Sequence, residues 1–128
     1  MNILLAAAAI VMGLSAPAQA TEWLVCGNGE GTVSFSVLLG SLGVGVATDF
    51  KVNAGDKNWS TTPGEGIAIS RSQAFETDTM LLADVKTEDL SELVAELRVF
   101  RAAEGDDYVY GGTLRIPGVG VWSVDCQG

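Results

Sequence analysis

Thr32–Leu39, TVSFSVLL, alternates polar and apolar residues as far as Val37 and ends in two leucines. In an extended chain Val33, Phe35, Val37 and Leu39 lie on one face, and the small polar residues between them lie on the other. This period-two alternation is typical of a β-strand with one buried face. The stretch therefore predicts at least one half-buried strand, and the same pattern continues on both sides of it.

Alternating segments recur along the chain, separated by turn residues. The further segments are GVGVATDFKVN, with Val44 and Val46 on its apolar face, then GIAIS, TMLLADVKT, YVYGGTLRI and GVWSVDC. Gly55 lies in the cluster NAGDKN and predicts a hairpin turn, and Pro63-Gly64, EGDD and Pro117-Gly118 separate later strands. About eight or nine short strands with regular turns predict an all-β domain, either an antiparallel β-sandwich or a small barrel.

One segment allows two interpretations. Leu90 and Leu93 lie at helical spacing, and Thr87 is a suitable residue to cap a helix. The residues that follow alternate with period two again. We therefore expect either a short helix or a turn near 88–94, followed by a strand from about 95 to 102.

The amino-terminal segment resembles a secretory signal. Ile3–Leu14 is almost entirely apolar, and Ala18-Gln19-Ala20 has the small-residue pattern of a cleavage site, although no Lys or Arg precedes the apolar run. The run is shorter than the roughly 20 residues that a membrane-spanning helix needs. The sequence predicts a cleaved signal peptide at residues 1–20, a single β-domain at residues 21–128 without a membrane span, and a periplasmic or extracellular location.

The chain has two cysteines, Cys26 and Cys126, one near each end of the predicted domain. In an oxidising compartment they predict a disulfide between the first and last strands. Closing a loop of about 100 residues stabilises a fold by up to about 4.7 kcal/mol through the entropy of the unfolded chain. The final cysteine is therefore interpreted as a structural link.

Strand parity extends this prediction to the neighbouring residues. Trp122 lies on the same face as Cys126, so we expect it to be a core residue near the disulfide, whereas Trp23 and Val25 should point outward. Glycines inside strands often mark a close approach. Gly45 and Gly120 are expected to leave room for an aromatic ring, and Gly120 lies two residues before Trp122.

Composition excludes several function classes. The 16 acidic residues outnumber the 7 basic ones and give a net charge of −9, so nucleic-acid binding is not expected. An acidic surface favours solubility, and it would also attract a cationic partner. The chain has no His, no Ser-x-x-Lys and no phosphate-binding loop. No enzymatic activity, cofactor or metal is therefore predicted.

Acidic residues and tyrosines meet at the EGDD turn. Asp106, Asp107, Tyr108 and Tyr110 form a candidate interaction patch, because exposed tyrosines suit interfaces. The expected function is an exported, non-enzymatic binding or structural domain whose partner is a protein or another envelope component. Two alternatives remain: an inhibitor of a cationic secreted enzyme such as a lysozyme, and a hydrolase with a pair of carboxylates.

Overall fold

The computed structural model describes residues 22–39 and 47–128, which form nine strands in one closed barrel. The strands are β1 (Glu22–Gly27), β2 (Val33–Leu39), β3 (Ala47–Ala54), β4 (Lys57–Ser60), β5 (Ile67–Glu76), β6 (Met80–Thr87), β7 (Leu93–Glu104), β8 (Asp107–Ile116) and β9 (Gly120–Gln127). Each strand pairs with the next in chain order, and β9 returns to pair with β1. The all-β prediction is confirmed, and of its two architectures the barrel is the one that forms.

Period-two alternation places one face of most strands inside the barrel, whereas β5 has a single buried residue, Ile69. On β2, for example, Val33, Phe35 and Val37 are buried, as TVSFSVLL predicts. The rings of Phe35 and Phe50 meet edge to face in the interior, with centroids 5.9 Å apart. The predicted signal peptide, together with Val44, Gly45 and Val46, lies outside the described residues.

The barrel closes at a short seam between β1 and β9. Only three residue pairs form there, and the central pair is Cys26 opposite Cys126. Their Cα atoms are 4.0 Å apart and their sulfur atoms are bonded, which confirms the predicted disulfide between the first and last strands. A covalent link thus holds a seam that has few hydrogen-bonded pairs.

A second short seam joins β4 to β5, the one parallel pair among the described strands. It has two residue pairs, and contacts to β3 support the connection between its strands. Thr61 accepts a hydrogen bond from the backbone N–H of Phe50 at 3.0 Å and donates one to Asp49 at 3.1 Å. Lys51 Nζ lies 3.1 Å from a carboxylate oxygen of Glu65. Hydrogen bonds and an ion pair therefore hold the β4–β5 connection against β3, whereas a disulfide holds the seam between β1 and β9.

Of the two alternatives predicted near 88–94, the turn forms. Leu90 has a φ of 63°, which a residue within a right-handed helix cannot adopt. Asp89 accepts hydrogen bonds from the hydroxyls of Thr87 and Ser91 at 2.6 and 2.7 Å, and these bonds favour a local turn over a helix. The next strand begins at Leu93 and is longer than expected.

Parity around the disulfide agrees with the sequence. Val124 and Cys126 are buried, and Val25 is exposed. Trp122 faces the same side but is only half-buried and packs against the edge of the core, so the expected core position is met in part. A Cβ atom on Gly120 would lie 2.7 Å from the Trp122 ring, which confirms that Gly120 leaves room for an aromatic side chain.

Candidate binding surface

The hairpin of β7 and β8 extends beyond the barrel wall. Its two strands pair with each other from Arg101 opposite Tyr110 to Glu104 opposite Asp107. The ladder between β6 and β7, however, ends at Phe100, and the ladder between β8 and β9 begins only at Gly111. We call the projecting segment, residues 101–110, the arm.

Two adjacent glycines lie where the arm leaves the wall. A Cβ atom on Gly111 would lie 2.7 Å from the carbonyl oxygen of Val124, and one on Gly112 would overlap the carbonyl oxygen of Arg98. Neither position has room for a side chain, so the neighbouring backbones can approach closely. The arm therefore begins at a tightly packed point where β8 separates from β9.

The inner face of the arm continues the side of β7 and β8 that lines the core. It carries Arg101 opposite Tyr110 and Ala103 opposite Tyr108. The Arg101 guanidinium lies 5.3 Å from the centre of the Tyr110 ring, within range of a cation–π contact. Burial raises the pKa of the Tyr110 hydroxyl, the charge of Glu76 raises it further, and Arg101 opposes both effects. Tyr110 is thus a packed residue at the base of the arm.

The outer face of the arm and the adjoining outer face of the wall carry apolar residues that nothing covers among the described residues. Phe100 is 57% exposed and Val109 is 70% exposed. Cross-strand pairing places Phe100 beside Met80, Val109 beside Ala102, and Phe75 beside Leu82. We call these six residues the outer apolar strip.

A shallow depression of about 450 Å³ adjoins the strip on the side of β9. Its apolar wall includes Phe100 and Val109, and the backbone of Gly111 contributes to its lining. Its charged lining residues are Arg101 of the arm and Asp125 of β9. The depression lies where β8 and β9 separate. It offers a space for an apolar side chain beside polar groups.

Acidic side chains surround this end of the barrel. They are Glu76 and Asp78 near the turn between β5 and β6, Glu104, Asp106 and Asp107 at the tip of the arm, and Asp125 at the depression. The arm itself has one basic residue, Arg101, which lies over the Tyr110 ring. Arg98, nearby on the barrel wall, is ion-paired with Asp84 at 2.9 Å. The local charge is therefore negative.

The structure brings most of the candidate patch together. Asp106, Asp107 and Tyr108 are exposed at the tip, whereas Tyr110 is half-buried at the base. Sequence reasoning missed Phe100 and Val109. The alternation places both residues on the outer face of their strands. It contains no signal that these positions lie in or beside a projecting hairpin.

Comparison with known proteins adds no assignment. No protein-family model, curated protein or solved structure matches the sequence. Within residues 22–39 and 47–128, no helix is long and apolar enough to cross a membrane. The disulfide is compatible with an oxidising, exported environment.

Proposed function

We propose that this protein is an exported, non-enzymatic binding domain that recognises a protein or another envelope component through its arm. The observation that carries the proposal is the arm itself, which projects from a closed barrel and exposes apolar side chains on both faces. Tyr108 on the inner face is 63% exposed and Val109 on the outer face is 70% exposed. The barrel is the scaffold that presents it.

Energetic reasoning supports a binding role for the arm. A two-stranded hairpin without a third strand or a core beneath it is at best marginally stable in water. Contiguous exposed apolar surface of this kind often marks an interaction site. Side chains such as Tyr108 and Phe100 also offer large contact areas that a partner can bury.

Export supports the proposed location outside the cytoplasm. The predicted signal peptide at residues 1–20 would direct the chain to the periplasm or the extracellular space. A disulfide that closes the barrel would persist there, because reducing systems of the cytosol are absent. The Cys26–Cys126 bond and the signal sequence are thus two separate supports for the same compartment.

Inhibition of a cationic secreted enzyme such as a lysozyme is the second candidate. The acidic tip of the arm favours it, because Asp106 and Asp107 are exposed and carry the charge that complements a basic cleft. Titrating a lysozyme with the oxidised domain tests this candidate. Loss of activity at stoichiometric ratios supports inhibition, and full activity at a large excess contradicts it.

Affinity capture with paired variants tests the binding proposal. Oxidised residues 21–128 are attached to a resin, native envelope extract is applied, and retained proteins and glycans are identified by mass spectrometry. Val109→Ser changes the arm, while Val121→Ser changes a valine of similar exposure, 66%, on the outer face of β9. A reduced and alkylated sample is the folding control.

The proposal predicts components that the wild type and Val121→Ser both retain and that Val109→Ser loses. Components retained equally by all three forms would contradict recognition through the arm. An empty resin would contradict a stable envelope partner. Turnover of a substrate by the purified domain, abolished by replacing one carboxylate, would contradict the non-enzymatic assignment.

A further inference from the structure

The arm has strand edges that no other strand covers among the described residues. β8 gains a neighbour on its β9 side only at Gly111, so the ladder there does not extend over Asp107–Tyr110. On the other side of the arm, the backbone N–H of Arg101 donates to the carbonyl oxygen of Thr79 at 2.7 Å. The edge of β8 is therefore the more open of the two.

This edge has two of the usual protections against pairing, because it is short and carries the charged side chain of Asp107, but it lacks the others. Exposed edges in natural proteins commonly carry Lys, Pro, bulges or inward-pointing charges that prevent strand addition. Asp107–Tyr110, with the sequence DYVY, contains neither Lys nor Pro, and no register shift interrupts its pairing with β7. Tyr and Val also favour extended conformations. The segment is well suited to pair with another strand.

We propose that the β8 edge at Asp107–Tyr110 binds an extended, basic segment of a partner protein, which adds to the arm as a third strand. One apolar side chain of that segment enters the depression beside Val109 and Gly111. This inference rests on the proposed binding function and names the class of its partner. Main-chain hydrogen bonds supply affinity in this mode, and alternate side chains supply specificity.

Charge selects the basic segment over a second copy of this chain. Pairing two arms would bring Glu104, Asp106 and Asp107 of both copies together, and each chain carries a net charge of −9. Like charges across an interface oppose association. A segment with Lys or Arg beside its apolar residues would instead meet these carboxylates and Asp125 at the depression.

A synthetic peptide tests the backbone requirement directly. The probe is a soluble, fluorescently labelled eight-residue peptide of alternating Lys and Val, and its affinity for the oxidised domain is measured by anisotropy. The same peptide with N-methyl groups on alternate residues keeps its charge and side chains but cannot donate hydrogen bonds along one edge. An alternating Glu and Val peptide controls for charge.

Two lysine variants distinguish binding at the arm from general electrostatic attraction to the acidic protein. Val109→Lys and Val121→Lys make the same charge change at valines of similar exposure, 70% and 66%. Strand addition predicts that N-methylation and Val109→Lys each weaken binding at least tenfold, whereas Val121→Lys weakens it less than twofold. The Glu and Val peptide is expected not to bind.

Several outcomes would overturn the inference. These are equal affinity for methylated and unmethylated peptides, equal effects of the two lysine variants, and no saturable binding at all. A stable dimer in solution that Val109→Lys dissociates would assign the edge to a second copy instead. The peptide experiment can give one of these outcomes while the capture experiment still yields envelope components that Val109→Ser loses. In that case strand addition is refuted and the proposed binding function stands.

Discussion

The barrel wall and the arm are formed by the same two strands but differ in what lies beneath them. In the wall, Leu97 and Val99 of β7 are buried in the core, and Arg98 between them forms ion pairs on the surface. In the arm, apolar residues such as Ala102 and Val109 are exposed, and β7 and β8 have only each other as ladder neighbours. One hairpin therefore contains a stable half and an exposed half.

This difference divides the residues that determine stability from those to which the proposed function assigns recognition. Burial of apolar side chains is the main favourable term in folding, so the wall residues should determine the free energy of unfolding. Apart from Tyr110 at its base, the arm residues bury little within the chain, so their replacement should change stability little. Their apolar side chains remain exposed at the surface.

The largest expected effect on stability comes from opening the seam between β1 and β9. Replacing Cys26 and Cys126 together by Ala should lower the free energy of unfolding by about 4–5 kcal/mol, because the bond closes a loop spanning 100 positions. Urea unfolding monitored by tryptophan fluorescence measures this change. Val25→Ala, at an exposed position on the same strand, is the control, and an unchanged midpoint in the double variant would refute the role of the seam.

A matched pair of core and arm substitutions tests the division within the hairpin. Leu97→Ala removes a fully buried side chain and should cost about 3 kcal/mol, since it leaves a cavity. Val109→Ala removes exposed atoms and should change stability by less than about 0.5 kcal/mol. Thermal unfolding of both variants provides the measurement. Similar losses in the two variants would show that the arm packs against something in the folded chain.

The ion pair on the outer wall should contribute less. Arg98 Nη1 lies 2.9 Å from Asp84 Oδ1, and a second, longer hydrogen bond of 3.4 Å joins Nη2 to Oδ2. A double-mutant cycle with Asp84→Asn and Arg98→Gln should give a coupling free energy of about 0.5–1 kcal/mol, because both groups retain contact with solvent. Coupling above about 2 kcal/mol would indicate that this part of the wall is shielded from water.

The smallest expected effect concerns pH dependence at the turn between β6 and β7. Hydrogen bonds from Thr87 and then Ser91 lower the pKa of Asp89 to about 2. Because the pKa in the folded state is depressed, the stabilisation is present above the unfolded pKa of about 3.9 and is lost as pH falls through about 2. The stability difference between the wild type and Asp89→Asn should therefore be constant above pH 5 and shrink between pH 4 and pH 2. A constant difference down to pH 2 would refute this assignment.

Local pattern was sufficient to predict much of the barrel. Alternation in TVSFSVLL identified the inward residues Val33, Phe35 and Val37. Strand parity placed Cys26 and Cys126 on the inner faces of their strands, where they pair with each other. These predictions succeeded because one buried face requires a strict period of two. The pairing of the two cysteines followed from their number together with the predicted oxidising compartment.

Other features depend on tertiary pairing and leave weaker signals. The sequence predicts β5 as the short segment GIAIS, but the strand extends to Glu76. Its later residues lack alternation and are extended because they pair with β6, with a register shift between Arg71 and Gln73. Closure into a barrel depends on which strands become neighbours. The arm could not be predicted because Phe100 and Val109 fit the same alternation as wall residues.

Shortening the hairpin tests whether the arm carries recognition while the barrel folds without it. An Asn-Gly turn in place of residues 102–109 would join Arg101 to Tyr110, which already face each other across the hairpin. If the arm is separate from the scaffold, the free energy of unfolding should change by less than about 1 kcal/mol, and the shortened protein should lose every envelope component that the oxidised wild type retains. Retention of those components by the shortened protein, or failure of its barrel to fold, would contradict the division between scaffold and arm.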